Sequence, residues 1–229
     1  ISMNMWSKKI IYDITPFSLL DFPNKISCIL WFVGCNMRCS YCYNPEIVFG
    51  KGSISLSEAL EFVQTRMGLI EGVVMSGGEC TLHQETIPLA IALKEKGMAI
   101  KIDTNGSHPL HIKKMLDLGL IDFISLDFKA THDKFQSITG SNYFERFKES
   151  LQLLNASSVP YEIRTTYHSE LLDMEDLQEM VTFAIGEGYQ GTYYIQNFVD
   201  KHATVGDIKS PHNRLTKSDL KNENIEIRN

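Results

Sequence analysis

Short apolar runs alternate with longer amphipathic ones along most of this chain. Residues 26–33 are apolar apart from Ser27 and are bounded by polar segments, so they read as a strand buried on both faces. Residues 72–76, 98–103, 121–127, 160–166 and 192–197 also read as short strands. Helical spacing marks 57–63, with Ser57 as N-cap, and 85–96, with Pro88 near its start and Gly97 as its stop. It also marks 108–118, 143–155 and 174–187, and no sixth helix is evident. Six short strands separated by helices predict an α/β fold with a parallel sheet and right-handed crossovers, either open or an incomplete barrel.

The pattern divides the chain into an N-terminal extension (1–24), a βα core (25–198) and a polar tail (199–229), all within a single domain. In the tail, 215–220 is a short helical candidate and Ile225-Glu226-Ile227 fits an added edge strand.

Composition narrows the function classes. The chain has 229 residues, 43% hydrophobic and 22% charged, which is ordinary for a soluble globular protein. Its 28 acidic and 22 basic residues give a net charge of −6, against the basic footprint expected of a nucleic-acid binder. No leader-like stretch and no apolar run near twenty residues is present, so a cytoplasmic protein without a membrane span is expected. Five cysteines, three of them clustered, favour metal over disulfides in such a compartment.

The polar and glycine-rich residues fall after the apolar runs. Gly77-Gly78-Glu79, Asp103-Thr104-Asn105, Asp127 with Lys129, Arg164 and Gln196 all sit at or near the C-terminal ends of predicted strands, the face where parallel α/β folds place active sites. Cys35, Cys39 and Cys42 follow the first strand with the spacing C-x3-C-x2-C, and the aromatic Tyr41 precedes the third thiol. Three thiolates are one short of a closed tetrahedral zinc site or a fully ligated cubane cluster. A zinc knuckle closed by a distant histidine and an electron-transfer cluster closed by Cys28 or Cys80 both stay open on spacing alone. Cys28, inside an apolar strand, reads as a small core residue. His108, His111 and His168 read as surface or packing residues.

The C-x3-C-x-aromatic-C run resembles the signature of the radical S-adenosylmethionine (SAM) superfamily. That resemblance implies a partial (β/α)6 barrel of the TIM type and a 4Fe–4S cluster on Cys35, Cys39 and Cys42. The fourth iron then binds SAM, and an electron from the cluster releases a 5′-deoxyadenosyl radical. Gly77-Gly78-Glu79 resembles the family's turn that meets the methionine amino group. Asp103-Thr104-Asn105-Gly106, Asp127-Phe128-Lys129 and Arg164 resemble strand ends of the glycyl-radical-activating branch. There they line the SAM site, and a monovalent cation can sit near Asp103 and Asp127. Tyr43 stands where that branch usually has His, and Cys80 where it usually has Pro or Ala.

Ser18-Leu19-Leu20-Asp21-Phe22-Pro23, Tyr43-Asn44-Pro45-Glu46 and Ile225-Glu226-Ile227-Arg228 extend the resemblance to anaerobic ribonucleoside-triphosphate reductase activating proteins, relatives of the pyruvate formate-lyase activating enzymes. This implies a glycyl radical enzyme as protein substrate and a flavodoxin or ferredoxin as electron donor. The alternatives are an activase of pyruvate formate-lyase or another glycyl radical enzyme, and a small-molecule radical enzyme such as one of the 7-carboxy-7-deazaguanine synthases. Those enzymes usually place Asp after the third cysteine, where this chain has Tyr43.

Overall fold

The computed structural model describes residues 3–200, 203–220 and 224–228. They form two compact units: Ile1–Asn36, Glu46–Thr104 and Leu110–Ile124 in the first, and Met37–Pro45, Asn105–Pro109 and Ser125–Asn229 in the second.

The first unit holds α1 (Met3–Trp6), β1 (Lys9–Ser18), β2 (Ser27–Phe32), most of α2 (Pro45–Phe49), β3 (Ile54–Ser55), α3 (Leu56–Thr65), β4 (Gly72–Gly77), α4 (Thr86–Glu95), β5 (Ala99–Thr104) and α5 (Pro109–Asp117). Its strands run in the order β3-β1-β2-β4-β5. β2, β4 and β5 are parallel, as the alternation predicts. The N-terminal extension departs from that reading: β1 pairs antiparallel with β2 and β3, so the sheet is mixed. Pro16 masked this strand in the sequence. It is tolerated because the register shifts between Thr15 and Ser18, where no regular ladder bond is required. Helix α3 begins one residue earlier than expected, and its N-cap is Ser55, not Ser57. Ser55 accepts from the Glu58 amide while the Glu58 carboxylate accepts from the Ser55 amide, which is a capping box.

One face of this sheet carries Ile29, Trp31, Val74, Ala99 and Phe123, closed by Phe22. Phe22 is delivered by the turn after β1. The Ser18 hydroxyl accepts from the amides of Leu20 and Asp21 at 3.2 Å and donates to the Asp21 carboxylate. A Cβ on Gly72 would stand 2.8 Å from the Phe22 ring, so glycine there makes the room. Burying such a phenylalanine stabilises by about 2–3 kcal/mol. The Ser18–Pro23 motif thus builds an apolar floor.

β6 (Phe123–Asp127) leads into the second unit, which continues with α6 (His132–Thr139), α7 (Phe144–Asn155), β7 (Tyr161–Tyr167), α8 (Met174–Gly186), β8 (Tyr193–Asn197) and β9 (Ile225–Arg228). The order is β6-β7-β8-β9, with β7, β8 and β9 parallel. Helix α6 was not expected. It is only eight residues long, buries Phe135, Ile138 and Thr139, and stops at Gly140 with φ +65°. The tail is packed. β9 is the anticipated edge strand, and Lys217–Asp219 forms one 3-10 turn within the helical candidate. Arg228 makes two bonds to the buried Glu162 carboxylate, 3.1 and 2.9 Å long, and lies 3.4 Å over the Tyr194 ring. The Asn197 side chain bonds the Leu215 amide and carbonyl at 2.8 and 3.0 Å.

Among the described residues, no helix is long and apolar enough to cross a membrane.

Candidate functional site

In the first unit the chemistry-bearing residues gather where β2, β4 and β5 end. Gly77 has φ +117°, and a Cβ on it would stand 2.3 Å from the Phe32 carbonyl oxygen. A Cβ on Gly78 would stand 2.0 Å from the Gly34 carbonyl oxygen. Both positions therefore require glycine. The Gly78 amide donates to Phe32 and the Glu79 amide to Gly34, each at 2.9 Å, which straps the turn to the start of the cysteine loop. With those two N–H groups committed, the turn meets a ligand through carbonyls, the acceptors an ammonium group needs.

Glu79 is buried. One carboxylate oxygen accepts from the Thr81 amide (3.1 Å), the Thr81 hydroxyl (2.6 Å) and the Thr104 hydroxyl (2.8 Å), tying the turn to the end of β5. Asp103 accepts from Ser76 at 3.0 Å and is paired with the Lys101 ammonium. Cys80 opens a 3-10 turn, fully buried, with its thiol donating to the Asp103 carbonyl at 3.5 Å. Burial, then the neighbouring Glu79, pushes that thiol well above its usual pKa. Cys28 is likewise a core thiol, raised to about 12 by burial. Neither environment favours a thiolate ligand.

In the second unit Cys39, Tyr41 and Cys42 share an environment with Asp127 and Lys129. Asp127 Oδ1 accepts from Arg164 Nε at 3.0 Å and Nη2 at 2.9 Å, while Oδ2 takes the Lys129 ammonium at 3.1 Å. Burial alone would raise the Asp127 carboxyl, but Arg164 and then Lys129 outweigh it and hold the pKa below its usual value. Burial acts downward on Lys129, yet Asp127 keeps this ammonium well above the usual range. Gln196 pairs in register with Thr166, two residues from Arg164 on the same face of the sheet. Asn105 turns the chain beyond β5, its side-chain oxygen accepting from the Ser107 amide at 2.9 Å.

Tyr43 stacks on Phe198 at 5.0 Å, and its hydroxyl accepts from the Val199 amide at 2.6 Å. The Cys42 and Ser40 carbonyls accept from Val205 and Gly206 at 3.0 and 2.9 Å. The polar tail therefore clamps this half of the cysteine loop, a role the sequence did not reveal. The discounted histidines are structural: His111 bonds Thr86 at 2.8 Å, and the buried His168 bonds the Lys209 carbonyl at 2.9 Å.

Two observations test the fit of a cluster and SAM. Cys39 is 7% exposed, and burial raises its pKa, partly offset by Lys129. Iron would displace that proton, and Lys129 would stabilise the thiolate. The Tyr41 hydroxyl is buried near Cys39 without meeting hydrogen-bond geometry to any partner. A thiolate at Cys39 is the acceptor it lacks. Among the described residues no three His, Cys, Asp or Glu side chains close on one point as ligands of a single ion would. Thiolates on separate corners of a four-iron cluster do not need to. The residues fit the group.

Residues 29–184 match the model of the radical SAM superfamily. The chain belongs to that superfamily. Its members use a 4Fe–4S cluster and SAM, and the chain is a radical SAM enzyme. A protein of Methanocaldococcus jannaschii, provisionally named a glycyl-radical enzyme activating enzyme, is 31% identical over 180 residues, covering 76% of this chain and 74% of that protein. The pyruvate formate-lyase-activating enzyme of Clostridium pasteurianum is 33% identical over 140 residues, 57% of each chain.

Solved structures show the shared partial-barrel fold. Streptococcus suis SuiB bound to S-adenosylmethionine aligns with a TM-score of 0.64 at 17% identity, over 80% of this chain and 45% of that one. Escherichia coli QueE aligns with a TM-score of 0.57 at 14% identity, over 87% and 90%. The chain thus spans less than half of SuiB but most of QueE.

Proposed function

We propose that this radical SAM enzyme activates a glycyl radical enzyme, with an anaerobic ribonucleoside-triphosphate reductase as the partner and a flavodoxin or ferredoxin as electron donor. The observation that carries the reading is the likeness to the M. jannaschii protein named for glycyl-radical enzyme activation, across three quarters of both chains. The Ser18–Pro23, Tyr43–Glu46 and Ile225–Arg228 segments favour the reductase as partner, since they resemble its activating proteins.

In this reading Cys35, Cys39 and Cys42 hold the cluster. When bound, cluster and SAM supply a one-electron cleavage that yields a 5′-deoxyadenosyl radical able to take a glycine α-hydrogen. The chain's own residues bind and orient. Gly77-Gly78-Glu79 offers carbonyls to the methionine ammonium, and Glu79 fixes that turn through Thr81 and Thr104. Asp127, Lys129 and Arg164 together carry one net positive charge, which suits the methionine carboxylate. Asp103, Asn105 and Gln196 complete the polar strand ends, and Tyr41 and Tyr43 lie beside the thiols along the loop. No acid–base triad is required, because the cofactor carries the radical chemistry.

Anaerobic reconstitution with iron and sulfide, followed by reductant and SAM, is expected to give 5′-deoxyadenosine. With a reductase bearing a C-terminal glycyl-radical segment, electron paramagnetic resonance should show a glycyl doublet. Cofactor cleavage without a doublet in any candidate partner would overturn the activase reading in favour of a small-molecule enzyme. A colourless protein holding only zinc would overturn the radical reading itself.

A further inference from the structure

Among the described residues, Lys101 is the only lysine or arginine that is fully buried, at 2% exposure. It stands on β5 two residues before Asp103, so both side chains share one face. Its register partner is Val74, which belongs to the apolar floor with Phe22, Ile29, Trp31, Ala99 and Phe123. The lysine stem therefore starts at the floor, and its ammonium reaches toward the strand end to pair with Asp103 Oδ1. Ser76 donates to Oδ2 at 3.0 Å. A leucine would complete this floor at lower desolvation cost, because a buried ammonium is expensive unless a paired charge repays it. The sequence instead spends a charge here, directly beneath a carboxylate of the candidate site.

We propose that Lys101 is a built-in counter-ion, its ammonium taking the place of a monovalent metal cation at Asp103 and fixing that carboxylate at the cofactor face. Its placement at that face rests on the activase reading. The other carboxylate where a cation was expected, Asp127, carries its own fixed charges in Lys129 and Arg164. Lys101 is thus a positioning residue that acts through Asp103. The enzyme should be indifferent to the alkali cation in the buffer.

The test is thermal melting of the full chain, purified anaerobically, in potassium, sodium or choline chloride at one ionic strength. The wild type should melt at the same temperature, within about 1 °C, in all three. Lys101→Met keeps the stem but removes the charge. In choline it should melt roughly 5–15 °C lower than wild type and recover saturably as potassium or sodium replaces choline. Adding Asp103→Asn to that variant should abolish the recovery, which a merely structural lysine would not show in the first place.

Saturable alkali-cation stabilisation of the wild type would overturn the proposal. So would a Lys101→Met variant that melts alike in all three salts or folds in none. A thallium-205 titration of the wild type gives an arm free of variants: stoichiometric thallium binding overturns the proposal, and none supports it. Neither readout uses SAM cleavage, so failure here leaves the activase reading intact. Absence of deoxyadenosine would in turn leave the counter-ion result standing.

Discussion

The two units finish their strand ends differently. In the first, the floor is apolar, the strand-end turn is two glycines pressed against neighbouring carbonyls, and Asp103 is paired with Lys101. In the second, the face of β7 that carries Arg164 also carries Glu162, paired with Arg228, and Asp127 holds two cations, Lys129 and Arg164, beside the thiols of Cys39 and Cys42. The first is limited by shape. In the second, two cations face Asp127, which suits it to thiolates and a carboxylate. A substitution that adds volume should therefore hurt the first unit most, and one that removes charge the second.

The largest expected effect is the loss of a thiol. Cys39→Ala should cut the iron bound after reconstitution from about four per chain to below one, because two thiolates hold a cubane poorly. Full retention of iron would bring Cys28 or Cys80 in as a ligand, despite their buried, raised thiols. Next comes shape. Gly78→Ala places a Cβ 2.0 Å from a backbone oxygen that no rotamer change can move, and should cost about 3 kcal/mol in urea unfolding. An equal loss for an alanine at Gly186, where nothing lies within 4 Å and φ is not positive, would mean that space does not set the cost.

Charge ranks below shape. Arg164→Gln leaves Asp127 with one cation and should cost about 2 kcal/mol, since the site is only partly shielded from solvent. The same variant should weaken SAM binding more steeply than its stability falls, whereas Gly78→Ala should lower both together. If Arg164→Gln binds SAM as well as wild type, the Arg164 charge has no part in ligand binding.

Much of this was legible. The six core strands appear where apolar runs predicted them, and Gly77, Asp103 and Asp127 lie at or next to their ends, because a short buried run followed by glycine or a charge leaves few other arrangements; Arg164, expected at a strand end, is instead the middle residue of β7. Lys101 was not legible. Nothing in Ile100-Lys101-Ile102-Asp103 says which side of the strand is covered, and Phe22, brought in from residues read as an extension, helps to close the cluster around Val74, the register partner of Lys101. The tail clamp was hidden for a related reason. It rests largely on backbone amides, those of Val199, Val205 and Gly206, which carry no residue-type signal. Helix α6 was missed because eight residues give too few turns for the apolar spacing of Phe135 and Ile138 to stand out.

The smallest effect tests whether the second unit's use of charge extends beyond its strand ends. Asp173 caps α8, accepting from the amides of Glu175 and Asp176 at 2.9 Å, with Lys134 of α6 3.8 Å away. The bond from the Asp176 amide is the largest of the influences that hold its carboxyl below the usual value. A depressed carboxyl stabilises the fold above its unfolded pKa, near 3.9, and that contribution fades as pH falls through the lower folded value. Asp173→Ala should therefore cost about 1 kcal/mol at pH 7 and progressively less on the acid side of pH 4. Because Asp173 is largely exposed, added salt should leave the hydrogen-bonded part of that loss and screen only the share due to Lys134. A loss that stays constant from pH 7 to pH 3 would assign the cap's value to chain geometry alone, and would confine the second unit's dependence on charge to Asp127 and its two cations.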